Sequence, residues 1–137
     1  MAGASPCDLI PKFASNGNLE MIQLCTEFGA NLNTSDPQVG TTALMKAAMN
    51  GHFDIVAFLA KEGAELNATD SKGSTALVYA AKSGFNDIVQ LLLSCPQWAD
   101  LKKGCTLNIT AREALVVAAK EGHLDVLETL INHPEVK

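Results

Sequence analysis

Between residues 40 and 73 the apolar positions follow a helical rhythm that stops twice and restarts. Leu44, Ala47 and Ala48 recur at helical spacing behind Gly40-Thr41-Thr42, and Thr42 is placed to cap the helix. Gly51 ends it, because glycine tolerates the left-handed backbone of a helix end. A second helix is predicted from about Asp54, with Ile55, Val56, Phe58 and Leu59 on its apolar face and Gly63 as its stop. Residues 64–73 then form a polar, turn-rich connector. Helices of about ten residues are too short to stand alone in water, so such a pair must gain its stability by stacking on neighbours.

The neighbours are visible as copies of the same phrase. The stretch from Thr42 to His52 returns from Thr75 to Phe85 and again from Glu113 to His123. Gly51 and Gly84 are 33 residues apart, Gly17 and Gly51 are 34 apart, and Gly84 and Gly122 are 38 apart. A period of this length marks a stacked-repeat protein. The recurring Gly-x-Thr-Ala-Leu-x-x-Ala-Ala-x-x-Gly-His, with Asp54-Ile55-Val56, Asp87-Ile88-Val89-Gln90-Leu91-Leu92 and Gly63-Ala64-Glu65-Leu66-Asn67, resembles the ankyrin repeat.

The resemblance covers nearly the whole chain. It implies an all-α solenoid of stacked helix-turn-helix units joined by hairpin-like loops, forming a single domain over residues 1–137. The units are expected at about 6–38, 39–71, 72–104 and 110–137, with an inserted loop at about 97–110 and atypical first and last units. The family's signature proline and histidine are replaced by Ala43-Leu44-Met45, Ala76-Leu77-Val78 and Ala114-Leu115-Val116. That implies a more apolar stack with fewer polar ties. Pro96 and Pro134 stand where a terminal glycine would end the second helix and should stop it differently. The inserted loop carries Trp98, which either covers an apolar gap or anchors a partner.

Composition narrows the function classes. The chain is 47% hydrophobic, which suits a continuous core, and its net charge of -5 disfavours nucleic acid as a partner. Neither an apolar leader nor a run of roughly 18 apolar residues is present, so no membrane partner is expected. The chain is expected in the cytoplasm, with access to the nucleus. Cys7, Cys25, Cys95 and Cys105 make no Cys-x-x-Cys pair, and they are expected as reduced thiols without a metal. Cys25 aligns with Leu59, Leu92 and Leu130, a core position. His52 and His123 occupy one repeat position, which argues for a structural role. No catalytic residue, cofactor or metal is expected, and the chain is not expected to be an enzyme.

What remains is a binding surface. In the ankyrin architecture the first helices and loop tips line a concave face. On this chain they carry Lys12, Lys46, Lys82 and Lys120, with Lys72, Lys102, Lys103 and Arg112 in or beside the loops. The second helices carry most of the acidic residues. The concave side is therefore comparatively basic and suited to an acidic or phosphorylated segment of another protein. The resemblance implies Met49, Asn50, Thr69, Ser71, Lys72, Ser74, Tyr79, Lys82, Ser83, Trp98, Arg112, Lys120 and Glu121 as partner contacts, with Gln38, Val39 and Thr41 beside them. Tyr79 and Met49 could equally fill the seam between units. The resemblance also implies that Asn67 is either a turn-holding residue or a hydroxylation site. The expected function is a monomeric protein-binding module, an adaptor or masking inhibitor. The alternative is a scaffold that self-associates through its atypical end units.

Overall fold

The computed structural model describes residues 9–36, 39–66, 68–94 and 107–133, the last segment as backbone alone up to residue 109. Trp98, Asn67, Gln38, Lys102, Lys103, Pro96, Pro134, Cys7, Cys95 and Cys105 lie outside the described residues or their side chains.

Thr42 and Thr75 open their helices as the spacing predicts. Each hydroxyl accepts a hydrogen bond from the backbone N–H three residues on, at 3.3 Å from Met45 and 3.4 Å from Val78. The resulting helices are α3 (Ala43–Asn50) and α5 (Ala76–Ser83), which end at Gly51 and Gly84 with φ of 78° and 79°. Before them comes α1 (Ile10–Ser15), and after them α7 (Leu107–Glu121). Each of these inner helices is followed by an outer one: α2 (Leu19–Glu27), α4 (Phe53–Lys61), α6 (Asn86–Leu93) and α8 (Leu124–Asn132). These four helical pairs are called units one to four below.

Inner helices pack on inner helices, α1 on α3, α3 on α5 and α5 on α7, while α4, α6 and α8 form an outer row. Small residues let the inner row close up: Ala43, Ala47, Ala76, Ala80, Ala114 and Ala118 are all buried. The outer row contributes Ile55, Leu59, Ile88, Leu92 and Leu130 to the same continuous core, and Cys25 joins them. Complete burial of each such aliphatic side chain stabilises the fold by about 1.5–3 kcal/mol. The loops are hairpin-like. Ser35 and Thr42 form an antiparallel bridge, and the backbone N–H of Asp70 donates to the Ser74 carbonyl at 3.1 Å.

One difference from expectation lies at unit four. Helix α7 begins at Leu107, so residues 107–110 are helical and not loop. The reason is packing, since Thr110 and Ala111 are buried and continue the stripe of Ala114 and Ala118.

A ring contact joins each unit to the next. Gly17, Gly51 and Gly84 lie so close to the ring of His52, Phe85 and His123 that a Cβ there would fall 2.9, 2.8 and 2.6 Å from it. His52 Nε2 also hydrogen-bonds the Ser15 carbonyl, and His123 Nε2 the Lys82 carbonyl, each at 3.0 Å. Phe85 has no such donor. The carbonyl equivalent to those two, Met49 O, instead accepts the Ser83 hydroxyl at 3.3 Å. The polar ties implied lost with the signature histidine are thus partly replaced from a different position.

Candidate functional site

The loop between units two and three is held in shape by one carboxylate. Asp70 Oδ1 accepts the backbone N–H of Lys72 at 2.9 Å and of Ser74 at 3.0 Å. Its other oxygen accepts the Tyr79 hydroxyl, which fastens the loop to α5. Burial opposes ionisation of Asp70. The hydrogen bonds from Tyr79, Ser74 and Lys72, with the Lys72 charge, outweigh it and hold the carboxyl below its ordinary value. The same arrangement acts oppositely on Tyr79. Burial, the hydrogen bond to Asp70 and that carboxylate's charge push the phenol up to about 12.

This fastening sets Lys72 and Ser74 opposite the last turn of α5 and the exposed side of α7. A cleft of about 240 Å³ results, lined by Lys72, Ser74, Val78, Tyr79, Lys82, Val117, Lys120 and Glu121. An adjoining cleft of about 430 Å³ shares Lys72, Ser74, Val78 and Val117 and adds Gly73, Arg112, Glu113 and Val116. The two form one groove with a valine floor. Its rim carries four cations, Lys72, Lys82, Arg112 and Lys120, against two carboxylates, Glu113 and Glu121. A second recess of about 330 Å³ lies between units one and two. Lys12 and Lys46 line it beside Ser35 and Asp36.

Seven of the residues expected at the binding surface therefore line one groove: Lys72, Ser74, Tyr79, Lys82, Arg112, Lys120 and Glu121. Others face different tasks. The Asn50 amide donates to the Lys46 carbonyl at 2.8 Å and to the Ser15 hydroxyl at 3.3 Å, closing the end of α3. Met49 and Ser83 meet each other across units two and three. Ser71 and Thr69 are exposed loop residues away from the groove, and the Ser71 N–H donates to the Val39 carbonyl at 2.9 Å, linking successive loop tips. Asn33, the residue equivalent to Asn67 one unit earlier, accepts the Glu65 N–H at 2.9 Å. The valine floor of Val78, Val116 and Val117 is the part of the site that sequence reasoning missed. Those letters sit in the phrase that specifies stacking, and only the exposure of Val116 and the partial exposure of Val117 set them apart from buried Val78.

The described side chains offer attraction and shape. Among the described residues no three His, Cys, Asp or Glu side chains gather as a metal site. No described helix is long and apolar enough to cross a membrane.

Comparison with known families agrees with the architecture. The family model described as ankyrin repeats (3 copies) matches residues 10–103 and 65–137. The chain belongs to the ankyrin-repeat family. Repeats of this family mediate protein–protein interaction and are typically non-catalytic. Comparison with curated proteins finds no match.

Proposed function

We propose that the chain is a monomeric, non-catalytic binding module that takes an acidic segment of another protein in the groove between the 70–74 loop, α5 and α7. The observation that carries this reading is the groove itself: four cations stand around an apolar floor on a chain whose net charge is -5. Such a surface attracts carboxylates or phosphates by its local potential and holds an apolar side chain against Val78, Val116 and Val117. The stack arrives preorganised, because Tyr79 and Asp70 lock the loop before any partner binds. Binding would then serve as adaptor or mask, without chemistry.

A library of fluorescent peptides, acidic, phosphorylated and neutral, tests this by anisotropy against the full chain. Acidic peptides with one bulky apolar residue are expected to bind, and more weakly as salt rises. Lys82→Glu with Lys120→Glu should weaken binding by about tenfold or more, since two attractive pairs become repulsive. An unchanged affinity and salt dependence in that variant would overturn the proposal.

A further inference from the structure

The recess between units one and two and the groove between units three and four lie on one line. Lys12, Lys46, Tyr79 and Val117 each stand five residues before the glycine that follows their inner helix. Lys12 and Lys46 line the recess, and Tyr79 and Val117 line the groove. Because α1, α3, α5 and α7 stack in that order, the four positions follow one another along the stack. The line runs from charged through aromatic to aliphatic.

Charge is sorted along the same line. Helices α1, α3 and α5 contain no Asp or Glu, whereas each outer helix contains at least one. Glu113 and Glu121 of α7 stand at the groove, and Asp36 stands in the recess. Asp70 is buried and already engaged by the Tyr79 hydroxyl and the backbone of Lys72 and Ser74. The groove therefore sets four cations against two carboxylates, and the recess sets Lys12 and Lys46 against one. Between the two sites the line passes half-buried Met49 and Tyr79 and meets no acidic residue of α3 or α5.

The span between the two basic sites follows from the stack. From the α1–α3 seam to the α5–α7 seam is two helix steps, and packed helices lie roughly 8–10 Å apart. The sites are thus roughly 16–20 Å apart. An extended chain covers at most about 3.3–3.6 Å per residue, so about five or six residues bridge them. An α-helix, about 10–12 Å across with its side chains, is too wide to enter clefts of about 240 and 330 Å³.

We propose that the segment taken by the groove is extended and makes a second acidic contact in the recess. One Asp or Glu side chain sits among Lys72, Lys82, Arg112 and Lys120, with an apolar side chain beside it on the valine floor. A second Asp or Glu, about five or six residues away, sits between Lys12 and Lys46. The chain crosses Met49 and Tyr79 between them. The first contact is the groove reading given above, on which the second contact and the spacing rest. Carboxylates are favoured over phosphates. The recess has an excess of one positive charge, which matches one carboxylate and leaves a dianion partly unpaired beside Asp36.

Fluorescent peptides titrated into the full chain test this by anisotropy. A groove-end peptide carries one Leu beside Glu residues. Two-ended peptides add one Glu in a Gly-Ser segment, at spacings from about two to about twelve residues on either side of the Leu. At about five or six residues the added Glu should tighten binding about threefold or more, as a carboxylate between two exposed lysines does. Lys12→Glu with Lys46→Glu should abolish that ratio between two-ended and groove-end peptides. A groove-end peptide that binds, with no gain from the added Glu at any spacing, overturns this inference and leaves the groove reading standing. So does a gain that is equal at all spacings or survives the two lysine reversals. A gain that peaks near about eleven to thirteen residues, as a helical ligand would require, overturns it too. A phosphoserine in place of the added Glu that gains affinity where Glu does not overturns the choice of carboxylate. A groove-end peptide that fails to bind overturns the groove reading and this inference with it. The spacing series uses the unmodified chain, so it decides the matter even where the reversed variant does not fold.

Discussion

Replacing Gly51 by alanine separates the cost of backbone conformation from the cost of the contact between units. Gly51 and Gly63 both follow a helix end, with φ of 78° and 87°. An alanine at either place must hold left-handed backbone, at roughly 1–2 kcal/mol. At Gly63 nothing lies within 4 Å of the new methyl group. At Gly51 the methyl carbon would stand 2.8 Å from Phe85 Cζ and 3.0 Å from Cε1. That is about 1 Å inside the favourable carbon–carbon separation of roughly 3.5–4.0 Å. Relief requires the half-buried Phe85 ring to leave its place against the core, and overpacking of this kind costs roughly 1–3 kcal/mol. Gly63→Ala should therefore lose roughly 1–2 kcal/mol and Gly51→Ala roughly 2–5 kcal/mol. Urea unfolding followed by far-ultraviolet circular dichroism measures both, from midpoints at an unchanged slope. Phe85→Leu in the Gly51→Ala background should remove most of the excess in a double-mutant cycle. Equal losses at the two glycines, or additivity with Phe85→Leu, would refute the reasoning.

Three further perturbations follow from the same contacts. His52→Phe keeps a ring over Gly17 but removes the bond to the Ser15 carbonyl, so it should lower stability by about 1 kcal/mol, and His52→Ala by more, in thermal unfolding. Tyr79 is the chain's one tyrosine, so phenolate absorbance should show a midpoint near 12 in the folded chain and near 10 in urea. Its pKa is raised on folding, so its contribution to stability is complete below pH 10 and lost as pH rises through about 12. Asp70 is lowered, so its contribution is complete above its ordinary value of 3.8 and lost as pH falls through its folded value. Tyr79→Phe should move the Asp70 titration, followed by carbon NMR, back toward that value. Val78→Ala should cost about 2 kcal/mol because Val78 is buried, and Val116→Ala less than about 0.5 kcal/mol because Val116 is exposed, a comparison made by urea midpoints.

The repeated phrase made the architecture legible because its letters act locally. Thr42 and Thr75 cap the helices they precede, and Gly51 and Gly84 end them. Period and burial pattern did the rest, placing Cys25 in the core with Leu59 and Leu92. The start of α7 was not legible. Its extra turn is held by Thr110 and Ala111 packing into the core, a tertiary effect. The basic half of the groove was legible as a charge pattern. The Asp70–Tyr79 fastening was not, since the two residues are nine apart and belong to different elements.

Identity of letter and identity of environment separate most sharply at the two ends of the stack. Val78 and Val116 stand at the same place in the phrase, yet Val78 is buried and Val116 is exposed. The position after the helix-ending glycine shows the converse. Asn18, His52, Phe85 and His123 all precede an outer helix, but only Asn18 has no preceding unit beside it among the described residues, and it alone turns its side chain back to cap its own helix. In a solenoid the neighbour decides what a residue does, because each unit contacts only the units beside it.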